Sequence, residues 1–378
     1  MLNHLKILDF TTLLPGPYAT MMFADFGAEI IRVESPTRPD LTRNMFSEHE
    51  GDSPVHDYLN RSKKAIALDL KQQEAIESIK KLVATCDIII EQFRPGVMDR
   101  LGLGYEDLKS IKPDLIYCSI TGYGQTGSYR HKPGHDNNFL ALAGISSYSG
   151  TKKDGAMLSG VQIADVAGGS LHSVIAILMA VIHRDRTGEG QWIDISMTDC
   201  SLALNAFAGP AYLNKGQEIE YESFILNGGS FYGYYETKDG RYFSVGSLEP
   251  AFKKQLCEAM NQPELFSISM SEKREDVEVF KRAVERAFLT KTFAEWQEIF
   301  AKFDACVEPV LSIGEACNHP LFAERNMIVD VPTEEGGYIQ QLATPIKSSA
   351  YTPQYKFTGA RLGQHTNEIL EKLDTAKH

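Results

Sequence analysis

Gly134-His135-Asp136 sets an imidazole beside a carboxyl in a polar loop, immediately ahead of the apolar run 139–145. Imidazole changes charge near neutrality, so a His next to an acid is a candidate for proton transfer. The same pair at a helix start also serves as an N-cap with a solvated neighbour. Asp165, thirty residues later, lies within GVQIADVAGGS (160–170), a carboxyl among apolar residues just before an apolar segment. Such a group is either a helix cap or a desolvated acid whose pKa burial raises. Glu249 closes the apolar run 242–248 and precedes Pro250, which fits the first turn of a helix; capping explains it as readily as chemistry does.

Cations are the second chemical signal. The chain has 38 Lys and Arg against 50 Asp and Glu, a net charge of −12. That balance argues against non-specific nucleic-acid binding, which rests on neutralising phosphates. An anionic ligand must then be met by a local cluster. Arg94 and Arg100 flank PGVMD (95–99), Lys71 ends a β-rich run, and Arg61, Lys63 and Lys64 precede that run. They suit a phosphate-rich ligand, although charged strand ends are also ordinarily solvated.

Other chemistries lack their signatures. GYGQTG (122–127) matches the dinucleotide fingerprint and follows a strand pattern, but the polar stretch 128–138 with Pro133 supplies no helix N-terminus for a pyrophosphate. A flexible loop lining a pocket is the better reading. GxSxG, Walker A and HExxH are absent. The six cysteines have no CxxC spacing and read as reduced core residues, with no metal site. The strongest apolar stretch, 174–182, falls short of the ~20 residues of a membrane span. The first residues lack the regions of a signal peptide, so the expected location is cytoplasmic, without membrane or nucleic-acid partners.

Elements able to position these groups follow from periodicity. Strands are expected at 5–10, 29–34, 65–70, 87–91 and 115–121, with an amphipathic helix at 72–85, the alternation of an α/β protein with a parallel sheet. A buried helix is expected at 171–183, ended by the charged turn 184–190. Beyond a polar linker at 215–221, Asp239-Gly240 between aromatic-rich runs predicts a hairpin over 231–245, and helices follow at 251–260, 277–289 and 293–303. From about 328 the chain reads as loops, ending in a helix at 366–373. The expected division is a large domain over 1–200 and 330–378, a linker over 201–225, and a smaller α+β domain over 226–329.

Several segments together carry a resemblance: LDFTTLLPGPY (8–18), FADFGA (23–28) leading to Arg32-Val-Glu34, FRPGVMDRL (93–101), RTGEGQ (186–191) and DGRY (239–242). Over essentially the whole chain the sequence resembles the CaiB/BaiF-like family III CoA-transferases, a family that includes the α-methylacyl-CoA racemases. The resemblance implies a Rossmann-like large domain built from both chain ends, a smaller α+β domain, and an interlocked homodimer. It implies that Leu68, Lys71, Arg94 and Arg100 line the CoA site. Where relatives carry a basic residue after Glu34 this chain has Ser35, and Arg38 stands near enough in sequence to substitute.

The resemblance also frames the chemistry. In the racemases a His works with a carboxyl thirty residues later, the spacing of His135 and Asp165. One base removes the α-proton, an acid opposite returns one, and backbone N–H groups near the loop stabilise the enolate between. Glu249 would orient His135. No cofactor beyond the CoA moiety of the acyl-CoA substrate is implied. In the transferases the same carboxyl is a nucleophile that forms an acyl and then a CoA intermediate. A transferase branch carries Tyr at the place of His135 and Gln at the place of Leu14, whereas racemases usually have Ile at Asn137 and Gly at Ala164. The racemase reading is preferred, with the transferase as alternative and a non-catalytic CoA-binding protein as a remote third. Met157, Leu158, Phe224, Phe231 and Tyr232 suit either an acyl pocket or simple core.

Overall fold

Residues 88–91 read Ile-Ile-Ile-Glu and all four are buried, the pattern of a strand covered on both faces. In the computed structural model, which describes residues 1–47 and 53–375, this strand lies inside a six-stranded parallel sheet. The strands are β1 (Lys6–Asp9), β2 (Glu29–Glu34), β3 (Lys64–Ala67), β4 (Ile88–Glu91), β5 (Ile116–Thr121) and β6 (Gln191–Ser196). Their order is β3-β2-β1-β4-β5-β6. Register pairs Ile7 with Ile30 on one side and with Ile88 on the other. Helix α1 (Pro15–Asp25) follows β1, and α2 (Gln73–Val83) buries Ala75, Ile76, Ile79, Leu82 and Val83, the stripe its spacing predicts.

Contacts divide the chain into two units, the first formed by Met1–Ala143, Ser159–Leu204 and the chain from Pro320 onward. The second takes Gly144–Leu158 and Asn205–His319. This differs from the expected boundaries, because 144–158 packs with the second unit and 201–225 is more than a linker. A helix, Ala208–Lys215, forms there and is stopped by Gly216 in the left-handed conformation.

Three further differences have local causes. Strand β6 was not expected: it is an edge strand in which Gln191 and exposed Asp194 break the apolar run. A hairpin, Ile328–Pro332 with Tyr338–Leu342, replaces the expected loops, its alternate positions being partly exposed. The helix expected over 171–183 is much longer. It runs over Ala164–Thr187, here α3, and its first turns, Ala164–Leu171, are π-helical. Gly188 (φ 76°) caps it beyond the expected stop. Nor is it uniformly buried, since Ile175, Met179 and Ile182 are 50%, 65% and 54% exposed. By length and composition alone α3 could cross a membrane, but it packs against α1, β5 and β6 as a sheet-covering helix does.

The second unit holds an antiparallel sheet of Gly233–Glu236, Tyr242–Val245 and Val307–Pro309, with the hairpin turn at Asp239-Gly240 as expected. Its core stacks Phe243, Phe288, Trp296 and Phe300. Phe231 belongs to this core, 4.9 Å from the Phe280 ring, and also lines a cavity of about 480 Å³ in the second unit. Cys86, Cys118 and Cys257 are buried as expected, whereas Cys200 and Cys317 are half-buried and Cys306 is exposed.

Candidate active site

In an open parallel sheet the crevice lies beyond the carboxyl ends of the strands, where strand order reverses. Here that point falls between β1 and β4. The loops after these two strands are joined by Gln92, whose Oε1 accepts from the Gly16 N–H at 3.2 Å. On the β1 side Leu13 is held in a left-handed conformation (φ 61°) by Asp40, whose Oδ2 accepts the Leu13 N–H at 2.9 Å. Asp40 is itself ion-paired to buried Arg32. Although burial pushes neighbouring Glu34 upward, bonds from Arg43 and the charge of Arg32 hold it down at about 2.

Beyond β5 the long loop to α4 (Asp136–Leu142) is fastened at both ends to one ring. A methyl group on Gly122 or Gly134 would come within 2.5 and 2.6 Å of the Phe139 ring, so only glycine permits the approach. Tyr123 stacks edge-on against Phe139 (5.3 Å) and Tyr129 (5.9 Å), and Thr198 Oγ1 donates to the Gly122 carbonyl at 2.6 Å. No helix starts behind GYGQTG, as expected. The loop borders a cavity of about 420 Å³ whose lining includes Gln92, Phe93, Arg94, Arg130, Lys132 and His135.

His135 occupies the N-cap position of α4 within a capping-box arrangement with Asn138. Its own backbone N–H donates to Asn138 Oδ1 at 2.9 Å, and the residue is exposed. Asp136 points its carboxylate the other way: Oδ1 accepts from the N–H groups of Ala164 (2.6 Å) and Asp165 (3.1 Å) at the start of α3. This bond pair fixes the turn that carries Asp165. Burial pushes the Asp165 carboxyl up to about 6; the Asp136 charge adds to the rise and the nearby His135 opposes it. A helix N-terminus favours the ionised form, so desolvation outweighs it here. The structure thus brings His135 and Asp165 into electrostatic contact. Asp165 is not a helix cap, since Ile163 holds the N-cap position of α3.

A second, smaller cavity of about 200 Å³ opens on the other side of Arg94 and Pro95. Glu91, at the end of β4, reaches it while only 4% exposed. Burial raises its carboxyl to about 7 despite bonds from Ser119 and from the Phe93 N–H at 2.8 Å, with Asp99 and Asp194 pushing the same way as burial.

The remaining residues singled out from sequence are scattered along the same edge. Leu68 follows β3, its N–H bonded to the Glu34 carbonyl and its side chain packed on the core; Lys71 is exposed in the same loop. Arg38 is exposed after β2, and Arg94 and Arg100 are exposed after β4. Arg61, Lys63 and Lys64 do not join them. Arg61 forms a fully buried bidentate pair with Asp25 (2.8 and 2.7 Å), Lys63 is buried against the Pro17 carbonyl (2.8 Å), and Lys64 pairs with Glu29 at 3.0 Å. The charges of Arg61 and Lys63 are used inside the fold and that of Lys64 is met by Glu29 at the surface, which sequence spacing does not reveal. Glu249 is the exposed residue before the helix Pro250–Ala259 in the second unit, and makes no side-chain cap bond. Sequence reasoning missed Glu91, Arg130 and Lys132, and gave Asp136 no role of its own. The basic run at 130–132 in an acidic chain was the available signal.

A doubly wound parallel sheet with an acid–base pair and a cationic cavity at its carboxyl edge is the arrangement of an α/β enzyme. The model of the CoA-transferase family III matches residues 2–366, and the chain belongs to that family. It is 34% identical over 375 residues to the alpha-methylacyl-CoA racemase of Homo sapiens, covering 98% of this chain and 93% of that one. It is 32% identical over 382 residues to the succinyl-CoA:glutarate CoA-transferase of Homo sapiens, covering 98% and 86%. Among solved structures, a CAIB/BAIF family protein from Brucella suis superposes with a TM-score of 0.85 at 30% identity over 99% of both chains. The family resemblance read from the motifs therefore holds across the chain, and racemases and transferases both stand among its relatives.

Proposed function

We propose that the chain racemises the α-carbon of a 2-methylacyl-CoA by moving a proton between His135 and Asp165. The observation that carries this reading is the pairing of an exposed His135 with a nearby carboxyl, Asp165, raised to about 6 by burial. A carboxyl in that range is present in both protonation states near neutral pH, so it can take a proton in one direction and return it in the other. Asp165 removes the α-proton, leaving an enolate, and protonated His135 delivers a proton to the opposite face; the reverse direction exchanges the roles. Nothing is oxidised or reduced, and the reading assigns no cofactor beyond the CoA moiety. Arg94 and Arg100, with Lys71, Leu68 and Arg38, are assigned to the CoA moiety. Glu249 is assigned the orientation of His135, a role that Glu249→Gln tests through loss of turnover.

The identity to a racemase over nearly the whole chain supports this reading. The transferase reading rests on the same Asp165, and on a relative of that activity at 32% identity. Incubation of a 2-methylacyl-CoA in deuterated water separates the two. Racemisation adds one mass unit at the α-carbon without a second acid, and His135→Ala abolishes exchange from one enantiomer. Absence of exchange, with hydroxylamine trapping an acyl group on Asp165, would establish the transferase instead.

A further inference from the structure

The cavity that ends at His135 has a charge pattern the acid–base reading does not use. Its sixteen lining residues include Arg94, Arg130 and Lys132, and none is acidic, in a chain whose net charge is −12. These cations are not neutralised elsewhere: among the described residues none of the three forms a salt bridge with a carboxylate. Arg130 Nε meets only the His131 ring at 3.0 Å, and the Lys132 ammonium sits over the Tyr129 ring at 3.6 Å. Phe93, Ile120, Phe139 and Met197 supply apolar wall to the same cavity. The smaller cavity across Arg94 and Pro95 is the reverse, with Glu91, Asp99 and Glu106 in its lining. All three are exposed, so water screens their mutual repulsion; gathered at one apolar-walled cavity beside a loop fastened by Gly122 and Gly134, they leave three cationic donors available to an anion.

We propose that Arg130 and Lys132, with Arg94, form an anion subsite that recognises carboxylate or phosphate oxygens of the acyl-CoA ligand. The subsite deepens the function proposed above, since it rests on acyl-CoA thioesters being the ligands. Two parts of such a ligand carry the required oxygens: a carboxylate at the far end of the acyl chain, and the phosphates of CoA. A flexible ammonium and a guanidinium fork suit either.

Equilibrium binding separates them without depending on turnover. The full-length protein and the Arg130→Gln/Lys132→Gln variant are titrated calorimetrically with four probes: CoA, a 2-methylacyl-CoA with an alkyl tail, the same thioester ending in a carboxylate, and the pantetheine thioester of that carboxylated chain. About ten-fold weaker binding of the two carboxylated probes alone, as two charge-assisted contacts would give, assigns the subsite to the acyl carboxylate. About ten-fold weakening of all three CoA probes, with the pantetheine thioester unchanged, assigns it to the phosphates. Unchanged affinity for every probe overturns the proposal. Arg130→Lys/Lys132→Arg, which keeps the charges, must restore binding, and failure to do so also counts against it. If these affinities change while α-proton exchange is absent, the racemase reading fails and the subsite stands.

Discussion

Glu91→Gln tests whether the carboxyl between β4 and the smaller cavity is held in water-poor surroundings, and the effect has a definite sign. The group is 4% exposed, and burial raises it from 4.5 to about 7. A folded-state pKa above the unfolded one means that the native protein binds the proton more tightly. Below pH 4.5 both states are protonated and Glu91 costs nothing; as pH rises through 7 stability falls, and the loss is complete above it. At ~1.4 kcal/mol per pH unit, the displacement of about 2.5 units corresponds to ~3 kcal/mol. Glutamine is neutral throughout, and its Oε1 can still accept from the Phe93 N–H. Urea unfolding at pH 5 and pH 8.5, read by Trp192 fluorescence in a Trp296→Phe background, reports the unit that contains Glu91. Because part of the loss has already occurred at pH 5, the parent is expected to lose ~2.5 kcal/mol more than Glu91→Gln between the two pH values. Equal losses in both proteins would refute the argument that this carboxyl is desolvated.

Two further outcomes follow from the site and from α3. Asp136→Asn keeps an oxygen for the Ala164 and Asp165 N–H groups but removes a charge that raises Asp165, so the acid limb of the pH–rate profile should move to lower pH, whereas Asp136→Ala should also lose ~1 kcal/mol of stability with the cap; an unmoved limb in Asp136→Asn would show that Asp165 does not control it. A homodimer, as the family resemblance implies, would have a use for the exposed apolar residues Ile175, Met179 and Ile182; sedimentation equilibrium at micromolar concentration should then show two chains, a folded monomer being the contrary result.

What could be read from the sequence was what repeats along it. β2 and β4 are runs of buried isoleucine and valine, and α2 keeps a helical stripe, so their places in the parallel sheet were legible. β6 was not, because an edge strand needs only one covered side and its pattern is diluted. The start of α3 was hidden by Gly168 and Gly169, poor helix formers that are tolerated where they pack against Met197 and Pro15. At the site, His135 and Asp165 were legible as residue types. Their environment was not, because it depends on Asp136 reaching 28 and 29 residues along the chain to hold the turn of Asp165. Arg61 and Lys63 misled for the converse reason: a buried partner such as Asp25, 36 residues away, leaves no local trace.

The clasp of Gly122 and Gly134 on the Phe139 ring has a consequence for how such an enzyme can diversify. Because both ends of the loop are anchored to one side chain, residues between them can be exchanged without passing strain to His135, the neighbour of Gly134. The tip then behaves as a cassette. On the proposed reading, replacing its cations with apolar or acidic residues would rewrite the preference for ligands while leaving the end at His135 unchanged. A substitution in the clasp itself would be paid for by both functions at once, so mutational tolerance should fall sharply from 126–132 to the two glycines.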